Sequence, residues 1–242
     1  MRSLKNAGWS FQRSSRISTF SDPSFSRYVL SCQKQAEYTG GTVTFLGRLP
    51  ADRGIMKTSQ WDHIQNPVTG EHLRFLRRDP ETNATTVEIV FPAGGLPVVE
   101  HRHPGWEKFE VQAGTLTLTA DRLKHELGPG DAFTVTSEFH FPANVGSEDA
   151  VVMVTASPGD FFERGIRVAF GLARDGGVAS DGRPRDILAF ALASERGAYQ
   201  ITGPPRWLWV SLMTTLGSVA VLAGKRQQIE KYWPPDLRRP WQ

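Results

Sequence analysis

The sequence is poor in cysteine and in net charge, and each scarcity excludes a class of protein. Its 242 residues include one cysteine, Cys32, so no internal disulfide can form and a reducing, intracellular compartment is expected. Lys and Arg outnumber Asp and Glu by only 28 to 25, a formal charge of +3, which argues against a nucleic-acid partner. Hydrophobic residues at 39% and charged residues at 22% describe an ordinary globular chain and exclude a disordered one.

Acidic residues are absent before Asp22, in a segment that is rich in Ser and carries several Arg and Lys side chains. That composition resembles a mitochondrial transit peptide. A flexible basic tail is the simpler explanation and the favoured one. The sequence leaves both interpretations open for residues 1–40.

The region from His72 to Ala156 alternates short β-prone segments with turns rich in Gly, Pro and Asp. Many short strands at even spacing predict a β-sandwich or a two-sheet barrel. The predicted strands are 73–77, 85–91, 98–103, 108–112, 115–119, 132–136 and 150–155. After Pro158, apolar spacing predicts helices over 161–173 and 186–196.

These patterns predict three parts of the chain. Residues 1–40 form the basic tail or targeting segment, residues 41–158 the β-barrel, and residues 159–242 a helical extension.

One apolar run, residues 207–224, has eighteen residues without a charge. As a helix it would span about 27 Å, just short of a bilayer core. Tryptophans at one end and Lys225-Arg226 at the other suit membrane attachment. A stripe of hydroxyl side chains along one face suits a helix packed on the barrel instead. Its members are Ser211, Thr214, Thr215 and Ser218.

Histidine is also scarce, with six in the chain, yet two of them stand two positions apart in one predicted strand. Side chains alternate between faces along a strand, so Val99, His101 and His103 are predicted to share a face. After a Pro-Gly turn, Glu107 shares the apolar face of the next strand with Phe109. Buried imidazoles and carboxylates are costly unless they are paired. A divalent transition metal pairs them, and this donor set suits Fe, Mn, Ni, Cu or Zn.

A further histidine, His140, follows the predicted strand 132–136 after a short turn and lies between two phenylalanines. Taken alone, such a residue is more typical of a hydrogen-bonded core histidine than of a metal ligand.

Together the two stretches resemble the paired sequence motifs of the cupin superfamily. The first motif is matched at every position, by Gly95, His101, His103, Glu107 and Gly114.

The second motif is matched by Gly130, His140 and Asn144. Thr136 replaces the usual proline, Glu138 replaces the usual glycine, and the loop is one residue shorter.

The resemblance covers residues 66–158 and implies a mainly β fold, the double-stranded β-helix or jelly-roll barrel, followed by C-terminal α-helices. It implies that four residues bind a metal and carry the catalysis: His101, His103, Glu107 and His140. Iron is the favoured metal, with Mn, Ni, Zn or Cu as alternatives. The resemblance also implies a homodimer.

Three functions stay open. Four protein ligands on an octahedral ion leave two positions for substrate and O₂ or water, which favours an oxygenase or oxidase. A Lewis-acid isomerase, cyclase or decarboxylase would use the metal without electron transfer. The third is a non-catalytic small-molecule-binding barrel.

The predicted pocket is apolar and aromatic, which favours a hydrophobic or aromatic small molecule, as in natural-product biosynthesis, over a sugar phosphate. The predicted wall consists of Phe91, Phe109, Val111, Phe133 and Val135. The predicted rim consists of Trp106, Phe139 and Phe141.

Overall fold

The computed structural model describes residues 62–195 and 197–238. The predicted N-terminal segment 1–40 lies outside the described residues, as do residues 41–61 of the predicted barrel. The described residues belong to one compact unit.

Eleven strands and four α-helices make up the described part of the chain. The strands are β1 (His63–Gln65), β2 (His72–Asp79), β3 (Ala84–Phe91), β4 (His101–Arg102), β5 (Trp106–Ala113), β6 (Leu116–Ala120), β7 (Leu123–Leu127), β8 (Ala132–Thr136), β9 (His140–Ala143), β10 (Ala150–Ser157) and β11 (Gln200–Ile201). The helices are α1 (Gly159–Arg174), α2 (Ile187–Ala193), α3 (Arg206–Leu222) and α4 (Lys225–Glu230), and a 3₁₀ turn follows at Pro235–Leu237.

The strands form two antiparallel sheets, and this confirms the two-sheet barrel with C-terminal helices that the resemblance implies. The first sheet has the order β1-β2-β3-β10-β5-β8, and the second has the order β11-β4-β9-β6-β7. Sequential strands repeatedly fall in different sheets, as the long crossing connections of a jelly roll require.

The barrel core lies between the two sheets. Strands β3 and β10 of the first sheet alternate strictly between buried and half-buried residues. Leu73, Val87 and Val152 of the first sheet pack in one buried cluster with Leu116 and Leu118 of the second. Burial of this alternating face fixes the strand register, because a one-residue slip would turn every apolar side chain outward.

The predicted strand 98–103 is wrong in its first half. Only His101–Arg102 forms a strand, and Val99 is 45% exposed. Val99 therefore does not share the buried face of His101 and His103. Pro97 and Pro104 bound this segment, and proline cannot donate to a strand ladder.

The helical extension packs on the barrel and forms two apolar clusters of its own. Helix α1 contributes Phe170 to the barrel core. Asp186 is the N-cap residue of helix α2. Its Oδ1 accepts hydrogen bonds from the N–H groups of Leu188 and Ala189, as is usual for an N-cap aspartate. Trp209 and Met213 of α3 are buried against α2.

Helix α3 contains most of the apolar run 207–224. Ser211, Thr215 and Ser218 are exposed, and the hydroxyls of Thr215 and Ser218 donate to backbone carbonyls one turn earlier. Across residues 62–195 and 197–238, none of the helices combines the length and the apolarity that crossing a bilayer demands.

Candidate metal centre

Four side chains with metal-binding atoms converge inside the barrel. They are His101, His103, Glu107 and His140, the set that the cupin motifs single out. Each residue offers one ligand atom, and these atoms all lie within 4.8 Å of one another. All four residues are buried, so their polar atoms need partners inside the protein.

Strand pairing explains how distant residues meet here. His101 on β4 lies directly opposite His140 on β9, and their rings are 4.5 Å apart. Glu107 comes from β5 in the other sheet. Its Oε2 lies 3.1 Å from Nε2 of His103 and 3.2 Å from Nε2 of His140.

A tight turn brings Glu107 back toward His103. Gly105 within this turn has φ +87°, a left-handed conformation that favours glycine. A Cβ atom there would lie 1.8 Å from the carbonyl oxygen of Ser157. The turn therefore needs glycine for two reasons, its conformation and its close approach to the end of β10.

Each histidine is oriented by a backbone carbonyl. Nδ1 of His101 lies 2.7 Å from Val99 O, and Nδ1 of His103 lies 3.1 Å from Pro104 O. Nδ1 of His140 lies 2.9 Å from Glu138 O. Because a carbonyl oxygen only accepts, all three Nδ1 atoms must carry the hydrogen. In the neutral tautomer the lone pair of each ring is then on Nε2, as a metal ligand requires.

This tautomer creates a conflict that a cation resolves. The Nε2 atoms of neutral His103 and His140 would both present lone pairs to the same carboxylate oxygen of Glu107. The two Nε2 atoms lie 3.1 and 3.2 Å from that oxygen. A nitrogen lone pair and a carboxylate oxygen at such a distance repel each other unless a proton or a metal ion lies between them. One divalent ion satisfies all the ligand atoms at once, so the residues present fit a metal.

The ionisation of the metal-free cluster agrees with this account. Burial, together with the nearby His140 and His103, lowers the pKa of His101 to about 3. Burial also disfavours protonation of His103, but its hydrogen bond to the Glu107 carboxylate and the negative charge of that group together outweigh burial, and the pKa of His103 is raised. Burial favours the protonated form of Glu107, but hydrogen bonds from His103 and His140 and the charges of these imidazoles together outweigh it and hold the pKa of Glu107 well below the usual range. The carboxylate therefore stays charged and His101 stays neutral.

The altered second motif still delivers His140 to the cluster. Ser137 adopts a left-handed conformation with φ +64°. Glu138, which replaces the usual glycine, accepts a hydrogen bond from the backbone N–H of Thr136 at 2.7 Å. His140 follows with 1% exposure. The side chain of Glu138 thus supplies a hydrogen bond that closes the shorter turn.

Asn144, the last residue of the second motif, has a structural role. Its Nδ2 donates to the carbonyls of Phe91 and Glu148, at 2.9 and 2.8 Å. Its Oδ1 accepts from the N–H of Gly146 at 2.9 Å. The amide thus ties the loop after β9 to the end of β3.

The residues predicted to line the pocket fall into two groups. Four belong to the buried core cluster: Phe91, Phe109, Val111 and Val135. The ring of Phe109 contacts the cluster, with its centroid 6.4 Å from that of His140. Phe133 packs against the core and against the ring of His125. Contact of these residues with a substrate stays a prediction.

The three predicted rim residues, Trp106, Phe139 and Phe141, are half-buried. Phe139 lies beneath the guanidinium of Arg102 at 4.7 Å. Arg102 points away from the face that carries His101, because adjacent residues of a strand face opposite ways. A role for Phe139 at the pocket rim stays a prediction.

Two aromatic residues near the centre and one buried carboxyl group escape prediction from sequence. The ring of Tyr199 stacks on His101 with centroids 4.7 Å apart and planes at 19°. The ring of Phe161 from α1 lies 6.4 Å from that of His103. Glu71 is buried just before β2, and burial raises its pKa. Tyr199 and Phe161 lie beyond both motifs, and the sequence holds no spacing signal that points to them.

Comparison with known proteins agrees with this architecture. The family model described as a cupin domain matches residues 87–156. That segment holds all four clustered residues. No curated protein matches the sequence.

Several solved cupin structures resemble part of the chain. An RmlC-like cupin from Shewanella frigidimarina is 19% identical, with 44% of this chain and 93% of that chain covered, at a TM-score of 0.38. KdgF from Halomonas is 19% identical, with 43% and 94% covered, at a TM-score of 0.36. A predicted oxalate decarboxylase from Thermotoga maritima is 19% identical, with 39% and 88% covered, at a TM-score of 0.34.

The chain contains a cupin domain. The family match, the two antiparallel sheets and the His-His-Glu-His cluster all support this assignment. Residues 159–238 follow the matched segment and contribute the helices and β11.

Proposed function

We propose that this protein is a metal-dependent cupin enzyme that acts on a hydrophobic or aromatic small molecule as an oxygenase or oxidase. The observation that carries the proposal is the convergence of two imidazole Nε2 atoms on one oxygen of the buried Glu107, with a ligand atom of His101 within 4.8 Å of the others. Imidazole and carboxylate together select first-row transition metals over Mg²⁺ or Ca²⁺. When bound, such a metal would supply Lewis acidity and, if iron, electron exchange with O₂.

The protein's own contribution is to hold, orient and shield the metal. Hydrogen bonds from each Nδ1 to a backbone carbonyl keep the three rings aimed at one point. Such hydrogen bonds, made by the ring nitrogen that does not bind the metal, raise the basicity of the other ring nitrogen and fix the tautomer of the ring. Buried apolar side chains such as Phe109 and Val111 keep bulk water away from the same region and strengthen the electrostatic interactions there.

The net charge of the metal with its four ligands supports a class of substrate. Three neutral imidazoles and one carboxylate would leave one positive charge on a divalent ion. An enolate, phenolate or carboxylate oxygen on an otherwise apolar molecule would neutralise that charge. We therefore propose an aromatic or hydrophobic substrate with one acidic oxygen.

A Lewis-acid isomerase, cyclase or decarboxylase is the second candidate, and Glu71 favours it. This carboxyl group is buried and is outside the set of metal ligands. It accepts a hydrogen bond from the Thr69 hydroxyl at 2.8 Å. Burial raises the pKa of Glu71, although that hydrogen bond lowers it. A buried carboxyl with a raised pKa is suited to proton transfer, which isomerisation and cyclisation require.

Metal content decides among the candidates. We would measure it by inductively coupled plasma mass spectrometry on the untagged wild type, on His101→Ala, and on His72→Ala as a control with an exposed histidine. Near-stoichiometric iron in the wild type and the control, lost in His101→Ala, is expected. Oxygen uptake with aromatic and polyketide-like acids would then be measured.

Other outcomes redirect or overturn the proposal. Zinc or nickel with no oxygen uptake would favour the Lewis-acid reaction. Equal metal content in His101→Ala and wild type would contradict the assignment of the site. No metal in any variant after reconstitution would leave a non-catalytic binding barrel as the remaining interpretation.

A further inference from the structure

The helical extension reaches the metal centre through one short strand. Strand β11 pairs antiparallel with β4, with Gln200 opposite Arg102 and Ile201 opposite His101. The residues that match the cupin family end at position 156. The extension therefore adds a strand directly beside the residue that supplies the first predicted ligand.

Strand β4 is short and needs this neighbour. It has two residues, and its other edge meets β9 at the single pair His101 and His140. Few ladder hydrogen bonds can form over so short a strand, so β4 on its own would be weakly held.

Side-chain contacts reinforce the pairing of β4 with β11. Gln200 Oε1 accepts hydrogen bonds from Nε and Nη2 of Arg102, at 3.0 and 2.7 Å. Gln200 is 2% exposed, and its Nε2 donates to Pro204 O at 3.0 Å. Thr202 adds a backbone bond to Glu100 O at 3.3 Å and a hydroxyl contact to the Glu100 carboxylate.

Tyr199 brings the extension into contact with the cluster itself. Its ring lies nearly parallel to the imidazole of His101, with centroids 4.7 Å apart. Its backbone carbonyl accepts a hydrogen bond from Nε1 of Trp209 at 3.0 Å, and Trp209 is buried in the contact between α2 and α3. The position of the Tyr199 ring is thus set by the helices.

We propose that Tyr199 is a positioning residue of the metal centre, whose ring fixes the plane of the His101 imidazole. This inference rests on the proposed metal-binding function. The Nδ1 bond to Val99 O holds one edge of the His101 ring, and the rings of His103 and His140 lie near it, with centroids 5.7 and 4.5 Å away. From outside the cluster, the ring of Tyr199 stacks nearly parallel on the imidazole and restrains its plane. The phenol hydroxyl is not needed for it, because stacking uses the ring face.

The test uses Co²⁺ as the probe in the full-length protein. Apo wild type, Tyr199→Phe, Tyr199→Leu and Trp207→Leu would be titrated with Co²⁺ against a chromophoric chelator, and the visible absorption of the bound ion recorded. Trp207→Leu is the matched control, because Trp207 lies on α3 near Trp209 but is 72% exposed. Substitution of residues that orient metal ligands typically costs 10- to 100-fold in affinity.

We expect Tyr199→Leu to bind Co²⁺ about 10- to 100-fold more weakly, with an altered absorption band. Tyr199→Phe, which keeps the ring, should restore both the affinity and the spectrum, and Trp207→Leu should match wild type. Wild-type affinity and spectrum in a folded Tyr199→Leu would overturn the inference. So would a Tyr199→Phe as impaired as Tyr199→Leu, since the hydroxyl would then be the essential group.

A second variant covers the case in which Tyr199→Leu does not fold. Trp209→Phe keeps an aromatic ring in the α2–α3 contact and removes the donor to Tyr199 O. It should weaken Co²⁺ binding several-fold and shift the absorption band while circular dichroism stays native. An unshifted band in Trp209→Phe would contradict control by the extension. Failure of the wild type itself to bind Co²⁺ would instead refute the proposed function.

Discussion

Glu107 Oε2 lies 3.2 Å from Nε2 of His140, although the two residues are 33 positions apart in the chain. Glu107 belongs to β5 in the first sheet and His140 to β9 in the second. The cluster therefore joins the two sheets across the barrel interior. Any cation that binds all four residues must stabilise the closed barrel relative to the unfolded chain, in which His140 is not held beside the other three.

Metal loading should raise the melting temperature through this connection. At a free metal concentration 100 times the dissociation constant, binding adds about 2.7 kcal/mol to the free energy of unfolding. For a domain of this size that is a rise of about 5–10 °C. Differential scanning calorimetry of the wild type with Co²⁺ and with a chelator measures the difference.

Glu107→Gln should abolish most of that rise, because the amide keeps the shape of the side chain and removes its charge. Glu81→Gln, at an exposed position, is the control and should keep it. An equal metal-induced shift in Glu107→Gln and wild type would show that the ion binds elsewhere.

The cluster could be predicted from sequence because its residues follow strand periodicity. His101, His103 and Glu107 sit close together in one motif, and the buried positions of β5 alternate as a strand requires. His140 depended on the resemblance, since one histidine between two phenylalanines carries no signal of its own. The structure places it opposite His101.

Residues whose positions depend on tertiary packing could not be predicted. Tyr199 is brought to His101 by the pairing of β11 with β4, a contact about a hundred residues apart in sequence. Val99 fits the alternating pattern, yet it is exposed because β4 begins two residues later. The short strands β1 and β11, of three and two residues, lack the length that periodicity needs to be visible.

Asn144 should contribute to stability and not to the metal site. Asn144→Ala would leave the carbonyls of Phe91 and Glu148 and the N–H of Gly146 without this partner. Each buried polar group left unpaired costs about 1–3 kcal/mol. We expect the free energy of unfolding, measured by urea denaturation, to fall by about 2–4 kcal/mol while Co²⁺ affinity stays near wild type. Gln112→Ala, at an exposed position, should change neither quantity. A loss below about 0.5 kcal/mol would contradict the anchoring role.

A buried ion pair fastens helix α1 to strand β2. Glu163 is fully buried, and its carboxylate accepts hydrogen bonds from Nε and Nη2 of Arg78, at 2.7 and 2.5 Å. It also accepts one from Nε of Arg167 at 2.7 Å. Removing one partner of a buried pair typically costs about 3–5 kcal/mol, because the other charge stays buried. Glu163→Gln should lose stability of this order in urea denaturation.

The pair Arg74 and Glu88 provides the control for Glu163→Gln. It lies on the surface of β2 and β3, with 56% and 29% of the two side chains exposed. Exposed ion pairs contribute about 0–1 kcal/mol, so Glu88→Gln should be nearly neutral. Equal effects of the two substitutions would show that burial of Glu163 does not determine its contribution.

Glu71 should make the fold less stable as the pH rises. Burial raises the pKa of its carboxyl group above the ordinary value, so the folded protein retains a proton that the unfolded chain has released. The free energy of unfolding should therefore fall as the pH climbs from the unfolded pKa, near 4.3, to the raised folded pKa, and level off above it.

Glu71→Gln keeps the acceptor for the Thr69 hydroxyl and removes the titration. Urea denaturation between pH 4 and 8 should show a flatter profile for this variant and greater stability than wild type at pH 7, with Glu81→Gln parallel to wild type. Parallel profiles for Glu71→Gln and wild type would mean that Glu71 ionises normally in the fold, and its proposed part in proton transfer would lose its support.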